Sequence, residues 1–340
     1  MRPVYSGLSF NPKDATDFSD WLAYPDHPRL GQGNTPVVEL PRLAAALGVS
    51  TLSVKIEGAN PTGSHKDRMS ALAVARALDI GAQTVVAASS GNAGASIAAY
   101  CGAVGLKCVI VTTSKMNPNW RRAIEFHGAR LEYAPSVQAR WHLVEERTRK
   151  GEWYPVTNFC MPAVGSNPFG VDGYRTVSFE IYRQCNPLPT DILVPTSRGD
   201  LLWGLARGFA DLEAAGCIDH SPKLHAIEPF PRITRVLEGS DYRDSFPGES
   251  AMTSLGGSTV CFQALKALDL SGGTALPVEQ SDVKDDQRLL ARNGLYLELS
   301  CAAALTGLRK AARNEVVKAD ARVMLIGTSH GYKEIPEVMQ

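Results

Sequence analysis

Short apolar runs alternate with longer amphipathic segments along most of the chain. The short runs are rich in β-branched residues and predict buried strands of a parallel sheet: Thr84–Ala88, Lys107–Thr112, Arg130–Ala134, Asp191–Pro195, Lys223–Glu228 and Arg322–Gly327. The longer segments predict helices: Lys66–Asp79, Asn92–Val104, Pro118–His127, Val137–Lys150, Val171–Arg183, Asp200–Ala214, Asp282–Asn293 and Ala302–Lys318. This repeated strand–helix–strand order predicts an α/β fold with helices on both faces of the sheet.

The composition is that of an ordinary globular protein and argues against several classes of partner. The 340 residues carry 35 Lys+Arg and 35 Asp+Glu, and this neutrality argues against nucleic acid and anionic membranes as main partners. The apolar stretch Ile97–Leu106 is far shorter than the roughly 20 residues that a membrane helix needs. Met1–Trp21 has no apolar core, so we expect no signal peptide. The seven cysteines form no CxxC pair, which predicts reduced thiols in a cytoplasmic protein and no zinc site.

Three loops that lead from a strand or turn into a helix are candidates for a binding site. They are Asn60–Arg68, Ala88–Gly94 and Pro195–Leu201. Ligands of α/β sheets bind beyond the carboxyl ends of the strands, and small residues at a helix start expose N–H groups that hold anions. Gly and Ser also serve as ordinary caps and turns, so the loops by themselves leave an anion site and a plain turn equally open.

Lys66 is the candidate nucleophile. Ser64 is expected to cap the helix that begins near Lys66, which places the amine at the positive end of a helix dipole. That setting lowers the pKa of an amine and suits it to form a Schiff base with an aldehyde. For an arbitrary lysine, a solvated side chain in a first helical turn is the commoner case.

The surrounding segments change this balance, because the chain resembles the pyridoxal-phosphate (PLP) enzymes related to the tryptophan synthase β subunit, and among them the threonine synthases. Six segments from about residue 30 to 333 carry the resemblance in order: Gly31–Pro36, Lys55–Arg68, Ser89–Asn92, Asn167–Gly173, Gly294–Glu298 and Gly327–Gly331. The resemblance implies a fold-type II PLP enzyme with two doubly wound parallel-sheet domains and the cofactor in the cleft between them. We expect residues 1–60 plus 160–340 to form the large domain and residues 61–159 a smaller inserted one. A homodimer is a family expectation only.

The resemblance also implies a role for individual residues. Lys66 would form the Schiff base with the cofactor, and Asn92 would bond the cofactor's phenolic oxygen. The loop Ser89, Ser90, Gly91 and Asn92 would bind the substrate carboxylate. Thr328 would face the pyridine nitrogen, and a neutral hydroxyl there accompanies elimination and replacement chemistry in this group more than transamination.

The expected phosphate-binding loop departs from the family pattern. Relatives use several glycines, whereas this loop reads Thr196, Ser197, Arg198, Gly199 and Asp200. We expect cofactor binding to be retained, with the Thr196 and Ser197 hydroxyls and the Arg198 guanidinium replacing some backbone donors. Asp200 would be a poor neighbour for a phosphate unless it serves as a cap.

Two further departures concern the substrate. Ala93 and Gly170 stand where threonine synthases have a hydroxyl residue and an arginine that bind the substrate phosphate. Possible substitutes are Lys115, Arg121, Arg122 and Arg175, each equally well explained as a solvated charge. Glu228 resembles a strand-end acid of serine/threonine dehydratases and is a candidate substrate contact, with a loop carboxylate in water as the alternative. Glu298 is expected near the site, and His65 is expected to pack beside the cofactor ring or to assist proton transfer.

Three hypotheses follow. The first is a PLP-dependent lyase of the threonine-synthase type, acting at Cβ or Cγ of O-phosphohomoserine or a related activated amino acid. The second is a serine/threonine-type ammonia-lyase on the same fold, which Glu228 and the lost phosphate contacts favour. The third is a non-catalytic binding or regulatory protein, which the unusual 195–201 loop favours and the intact set of Lys66, Asn92 and Thr328 opposes.

Overall fold

In the computed structural model, which describes residues 17–334, the strands form two separate sheets. The strands are β1 (Val37–Glu39), β2 (Thr51–Ile56), β3 (Thr84–Ala88), β4 (Lys107–Thr112), β5 (Arg130–Tyr133), β6 (Tyr154–Pro155), β7 (Asp191–Pro195), β8 (Lys223–Glu228), β9 (Ala275–Pro277) and β10 (Arg322–Gly327). The larger sheet has the order β1-β2-β10-β7-β8-β9 and the smaller one the order β5-β4-β3-β6. Most of the range expected to lack a signal peptide falls in residues 1–16, outside the described part.

Helices surround both sheets. They are α1 (Pro41–Leu47), α2 (Lys66–Asp79), α3 (Asn92–Val104), α4 (Pro118–Phe126), α5 (Val137–Arg149), α6 (Pro168–Asp172), α7 (Arg175–Gln184), α8 (Asp200–Ala214), α9 (Ile233–Leu237), α10 (Phe262–Ser271), α11 (Gln280–Arg292) and α12 (Leu299–Arg313). None of these helices, all within residues 17–334, combines the length and the apolar composition that a membrane crossing requires.

All strand pairs in the two sheets are parallel except that of β1 with β2. Parallel pairing places the carboxyl ends of β10, β7 and β8 at one edge of the larger sheet. Because ligands of α/β sheets bind at such edges, the residues that follow these strands are brought into one region. The strands of the smaller sheet fall within the range 61–159 expected for the inserted domain, whose boundaries stay a prediction.

The cores lie on both faces of each sheet. Along β7, Ile192 and Val194 join a cluster with α7, α8 and α10, while Leu193 between them joins the opposite cluster with α1, α11 and α12. Along β3, Val85 and Val86 likewise belong to clusters on opposite faces. This alternation is that of strands buried on both sides, and each such side chain stabilises the fold by roughly 1.5–3 kcal/mol.

The α/β class and the six predicted strands are confirmed, and the differences have physical reasons. The helix expected over Val171–Arg183 is two helices, α6 and α7. They are separated near Gly173, where the chain passes so close to α2 that a Cβ would lie 2.1 Å from the Arg68 carbonyl oxygen. The apolar pattern does not predict strand β2, because Lys55 interrupts its apolar residues. Lys55 is nevertheless fully buried, in an ion pair.

Candidate active site

Lys66 is the first residue of α2, and the loop before it is attached to the end of β10. The His65 N–H donates to the Thr328 carbonyl over 3.0 Å, and the Ser329 hydroxyl donates to the Gly63 carbonyl over 3.0 Å. These bonds bring Lys66 and Thr328 to the same edge of the larger sheet.

Ser64 does not cap α2 as expected. Its hydroxyl is buried without a hydrogen-bond partner, and no side chain caps this helix start. Instead, the Asp67 carboxylate accepts a hydrogen bond from the Thr62 N–H over 2.6 Å and another from the Ser96 hydroxyl over 2.6 Å. The lysine loop is therefore fixed by an acid in the first helical turn rather than by the serine before it.

The Lys66 amine lies near an aromatic ring and is influenced by two charged side chains. Its Nζ is 5.7 Å from the centroid of the Tyr174 ring, and it forms no ion pair with a carboxylate of residues 17–334. Loss of hydration lowers the pKa of Lys66, with Asp200 opposing the shift and Arg198 adding to it. The environment thus favours the free amine, the form that attacks an aldehyde.

His65 packs against the same tyrosine. Its ring centroid is 5.5 Å from that of Tyr174, and its Nδ1 lies 3.2 Å from the Thr328 carbonyl oxygen. Burial holds the pKa of His65 well below its usual value, and the neighbouring Lys66 lowers it further. His65 is therefore a neutral packing and positioning group in this structure.

Thr328 follows β10 directly and has a neutral partner. Its Oγ1 lies 2.9 Å from the Cys301 Sγ, and burial raises the pKa of that thiol. Among the residues that the structure describes, the Thr328 hydroxyl therefore has no ionised group as its hydrogen-bond partner.

Asn92, at the start of α3, is held by two charged residues. Its Nδ2 donates to Glu298 Oε2 over 3.0 Å, and Lys333 Nζ donates to its Oδ1 over 2.7 Å. The Ser254 hydroxyl bonds the other oxygen of Glu298. Burial lowers the pKa of Lys333. Sequence reasoning placed Glu298 near the site but missed Lys333, which lies just beyond the last family segment and carried no signal of its own.

The Ser89–Gly91 loop connects β3 to α3, and its two hydroxyls are already bonded. Ser89 Oγ accepts hydrogen bonds from the Gly91 and Gly94 N–H groups, over 3.3 and 3.0 Å. Ser90 Oγ lies 3.0 Å from Thr112 Oγ1 and accepts from Arg140 Nη1 over 3.0 Å. Ser89 thus stabilises the loop, whereas Ser90 connects it to an arginine that the sequence did not single out.

The loop after β7 differs from expectation in its hydroxyls. The Thr196 hydroxyl donates to the Val194 carbonyl over 2.7 Å, and the Ser197 hydroxyl donates to the Gly256 carbonyl over 3.1 Å. Since each hydroxyl has one proton to donate, both protons are used within the protein in this structure, and a contact of either hydroxyl with the cofactor phosphate stays a prediction.

Other groups of this loop do remain as donors. The backbone N–H groups of Ser197, Arg198 and Gly199 make no hydrogen bond within residues 17–334. The buried Nε of Arg198 has no partner either. Asp200 is not a helix cap: its carboxylate accepts from the Ser166 N–H over 2.9 Å and from the Ser166 hydroxyl over 2.7 Å.

A family model described as "Pyridoxal-phosphate dependent enzyme" matches residues 28–329. The chain belongs to this family. Its PLP cofactor is thereby established, and the prediction of a PLP-dependent lyase of the threonine-synthase type is confirmed at the level of family and cofactor.

Curated relatives and solved structures extend this result. The chain is 31% identical to threonine synthase from Methanocaldococcus jannaschii, over 90% of this chain and 76% of that protein. It is 28% identical to threonine synthase from Bacillus sp. (strain ULM1), over 90% of this chain and 84% of that one. A crystal structure of O-ureido-L-serine synthase superposes with a TM-score of 0.71 at 22% identity, covering 89% of this chain and 90% of that one. Cysteine synthase from Entamoeba histolytica gives a TM-score of 0.72 at 21% identity, covering 88% and 86%.

The residues of this PLP-dependent enzyme fit its cofactor. Lys66 provides a poorly hydrated amine, and the loop before α8 provides unbonded N–H groups and an unpartnered guanidinium Nε. An array of N–H groups at a helix start is the arrangement that binds phosphate.

Glu228 differs from its expected role as a substrate contact. Its carboxylate is fully buried, and its two oxygens accept hydrogen bonds from the N–H groups of Arg232, Ile233 and Thr234 and from the Thr234 hydroxyl, over 2.7–3.1 Å. Because all four bonds go to the start of α9, this acid stabilises the helix rather than facing the cleft.

The four suggested substitutes for a substrate-phosphate ligand also lie elsewhere. Arg121 pairs with Glu125, Arg122 lies over the Phe126 ring, Lys115 is exposed, and Arg175 is buried between Asp172 and Asp211. At Gly170, a Cβ would lie 3.0 Å from Met69 and 3.1 Å from Ala73, so the space of a longer side chain is already filled.

Proposed function

We propose that this PLP-dependent enzyme catalyses elimination or replacement at Cβ or Cγ of an activated amino acid, as the threonine synthases do. The observation that carries the proposal is the Lys66 amine, whose pKa is lowered by burial, at the same sheet edge as a Thr328 hydroxyl whose partner is the neutral Cys301 thiol. The threonine synthase relatives and the order of the matching segments support the same reaction class.

The protein's own groups have three tasks in this scheme. Bound PLP supplies an electron sink for the electron pair left at the substrate's Cα. Lys66 accepts the α-proton at Nζ, which its lowered pKa suits, and returns a proton later in the cycle. Glu298 and Lys333 fix the amide of Asn92 from both ends, so that its position does not depend on the ligand.

The substrate carboxylate is assigned to the loop Ser89, Ser90, Gly91 and Asn92. The Ser90 N–H makes no hydrogen bond within the described residues, and the loop leads into the start of α3. A helix start carries partial positive charge, which favours a carboxylate there. The expected cytoplasmic location and homodimeric state stay predictions.

The alternative ammonia-lyase hypothesis loses one of its two supports, because the Glu228 carboxylate accepts hydrogen bonds from the start of α9. Its other support is the absence of family phosphate ligands at Ala93 and Gly170. The two reactions differ in product, since an ammonia-lyase forms a keto acid from serine or threonine while a threonine-synthase-type reaction releases phosphate.

The central test is replacement of Lys66. The Lys66→Ala variant should lose the visible absorbance band that borohydride abolishes in the wild-type protein, and turnover should fall by at least about 10⁴-fold because proton transfer and the covalent link are both removed. Peptide mapping of the reduced wild-type protein should locate the cofactor on the Lys66 peptide. Product assays with O-phosphohomoserine, O-phosphoserine, serine and threonine then identify the reaction.

Lys115→Ala is the matched control, since Lys115 is an exposed lysine. It should keep both the absorbance band and the activity. Full activity in Lys66→Ala would overturn the proposed function, and keto acid formation from serine or threonine as the main activity would favour the ammonia-lyase.

A further inference from the structure

An arginine of the loop after β7, Arg198, lies beside the helix segment that carries a second arginine, Arg140. Arg140 belongs to α5, beside the smaller sheet, and Arg198 belongs to the loop after β7 of the larger sheet. The Arg198 guanidinium carbon lies 5.8 Å from the centroid of the Trp141 ring, the neighbour of Arg140. Neither guanidinium forms an ion pair with a carboxylate among residues 17–334.

Both side chains have hydrogen-bonding capacity that residues 17–334 leave unused. Arg140 is only 8% exposed, donates from Nη1 to Ser90 Oγ over 3.0 Å, and has no partner for its buried Nε. The Nε of Arg198 is likewise buried and unpartnered. A buried cationic donor without an acceptor costs free energy, so the arrangement points to an acceptor supplied from outside the chain.

The local charge balance indicates what that acceptor is. The charge of Arg198 acts on three other cations, Lys66, Arg140 and Arg232. The carboxylates that act on this group are Asp200, on Lys66, and Glu228, on Arg232. Arg140 and Arg198 themselves carry two positive charges that no carboxylate of residues 17–334 pairs with, which matches the charge of a phosphate monoester near neutral pH.

The positive charge of Arg198 also affects Arg140. Burial and the positive charge of Arg198 lower the pKa of Arg140 to about 10. A bound dianion between the two guanidiniums would remove this repulsion.

We propose that Arg140 and Arg198 bind one phosphate monoester between them, one guanidinium from each side of the cleft. The proposal rests on the proposed function for the position of the cleft, and it deepens that function by naming a charged group that the enzyme recognises. The phosphate belongs either to the amino-acid substrate or to PLP. A neutral substrate such as serine would leave both guanidiniums unpaired, so the pair discriminates against it.

The test measures binding of inorganic phosphate by calorimetry, without turnover. Wild-type protein is compared with Arg140→Gln and Arg198→Gln, each both saturated with PLP and stripped of it. The affinity for PLP is measured separately by absorbance titration. Loss of one charge-assisted contact should weaken phosphate binding by at least about tenfold.

The source of the phosphate follows from which affinity the variants lose, that for phosphate in the PLP-saturated protein or that for PLP. If PLP-saturated wild-type protein binds phosphate and both variants bind it at least about tenfold more weakly with unchanged PLP affinity, the substrate phosphate occupies the pair. The cofactor phosphate occupies the pair if three results are found together. Only the stripped protein binds phosphate, PLP competes with that binding, and both variants lose affinity for PLP. Either result supports the proposal.

Arg149→Gln is the matched control, because Arg149 is an exposed arginine on α5, the same helix as Arg140. If Arg140→Gln and Arg198→Gln bind phosphate and PLP as tightly as Arg149→Gln, or if wild-type protein binds no phosphate in either form, the proposal is wrong. Arg198 is partly exposed, so its variant keeps the test valid even if Arg140→Gln does not fold. Borohydride mapping to Lys66 is independent of these affinities, so failure of the arginine pair is distinguishable from failure of the proposed reaction.

Discussion

Gly199 shows how a single residue shapes the loop before α8. Its φ of 89° lies in the left-handed region, and a Cβ there would lie 2.4 Å from the Cβ of Ala264 in α10. A side chain at this position therefore meets two separate costs, one in its own backbone and one in the packing against α10. The glycine allows the loop to turn into α8 while α10 packs closely against it.

We therefore expect Gly199→Ala to destabilise the protein by about 2–4 kcal/mol, from the left-handed backbone and the overpacking together. The measurement is urea unfolding, combined with the PLP dissociation constant, which should rise as the loop shifts.

Gly216 provides the control for this prediction. It follows the same helix with a φ of 70° but has no atom within 4 Å of the position of its Cβ. Gly216→Ala should cost about 1–2 kcal/mol and leave PLP affinity unchanged. Equal losses in the two variants would contradict the packing argument.

At the scale of elements, α9 depends on an acid that precedes it in β8. The helix has only five residues, Ile233–Leu237, and no side-chain cap at its N-cap residue Arg232. Glu228, at the end of β8, accepts hydrogen bonds from the first N–H groups instead. This contact fixes α9 to the carboxyl edge of the larger sheet, where short helices need support from tertiary contacts.

Glu228→Gln should lower the free energy of unfolding by about 2–3 kcal/mol, because an amide group would replace a charged acceptor facing buried N–H donors. Substrate KM should change little if the protein remains folded. Thermal unfolding and steady-state kinetics of the same preparation check both points.

Glu279→Gln is the comparison, since Glu279 precedes α11 but makes no capping hydrogen bond and is exposed. It should leave stability unchanged. A large rise in KM for Glu228→Gln without loss of stability would restore the earlier view of Glu228 as a substrate contact.

At the scale of the whole molecule, a buried ion network joins the larger sheet to the helix that carries Lys66. Glu180 in α7 pairs with Lys55 in β2 over 2.6 Å and with Arg68 in α2 over 2.6 Å. Arg68 also pairs with Glu57 over 2.7 Å. All four side chains are at most 2% exposed. Since Arg68 lies two residues after Lys66, this network helps to set the position of the amine.

The network predicts a defined pH dependence of stability. Arg68 and Lys55 overcome the burial cost and lower the pKa of Glu180 from 4.5 to about 2. A carboxyl with a lowered folded-state pKa stabilises the fold above its unfolded pKa, and this contribution is lost as pH falls from 4.5 toward about 2. The loss attributable to this one group is about 3 kcal/mol.

Denaturant unfolding of wild-type protein and Glu180→Gln across this acidic range provides the measurement. The variant should be less stable at neutral pH by about 3–5 kcal/mol, because two buried cations lose a partner, and the difference should narrow as pH falls. Glu238→Gln, which removes an exposed carboxylate, should leave the profile unchanged. A difference in the free energy of unfolding between wild-type protein and Glu180→Gln that stays constant with pH would contradict the prediction.

Strands and helices with a strong local signal could be predicted from the sequence alone. The bounds of β3, β4, β7, β8 and β10 agree with the prediction, as do those of α2, α3 and α8. In these segments, the apolar periodicity and the helix-start residues favour the same secondary structure as the tertiary packing does. The segments that were missed, such as β1, β9 and α9, are short and take their structure from neighbours distant in sequence.

The sequence by itself determined the α/β class, the PLP family and the candidate lysine, because these depend on local patterns and ordered motifs. Only the tertiary structure decided which side chains have free donors. The Thr196 and Ser197 hydroxyls donate to backbone carbonyls, the Glu228 carboxylate bonds the start of α9, and Arg198 lies beside Trp141, the neighbour of Arg140, 57 positions away in sequence. Hydrogen bonds and charge repulsion depend on distance in space, and no local pattern around Arg140 encodes that distance.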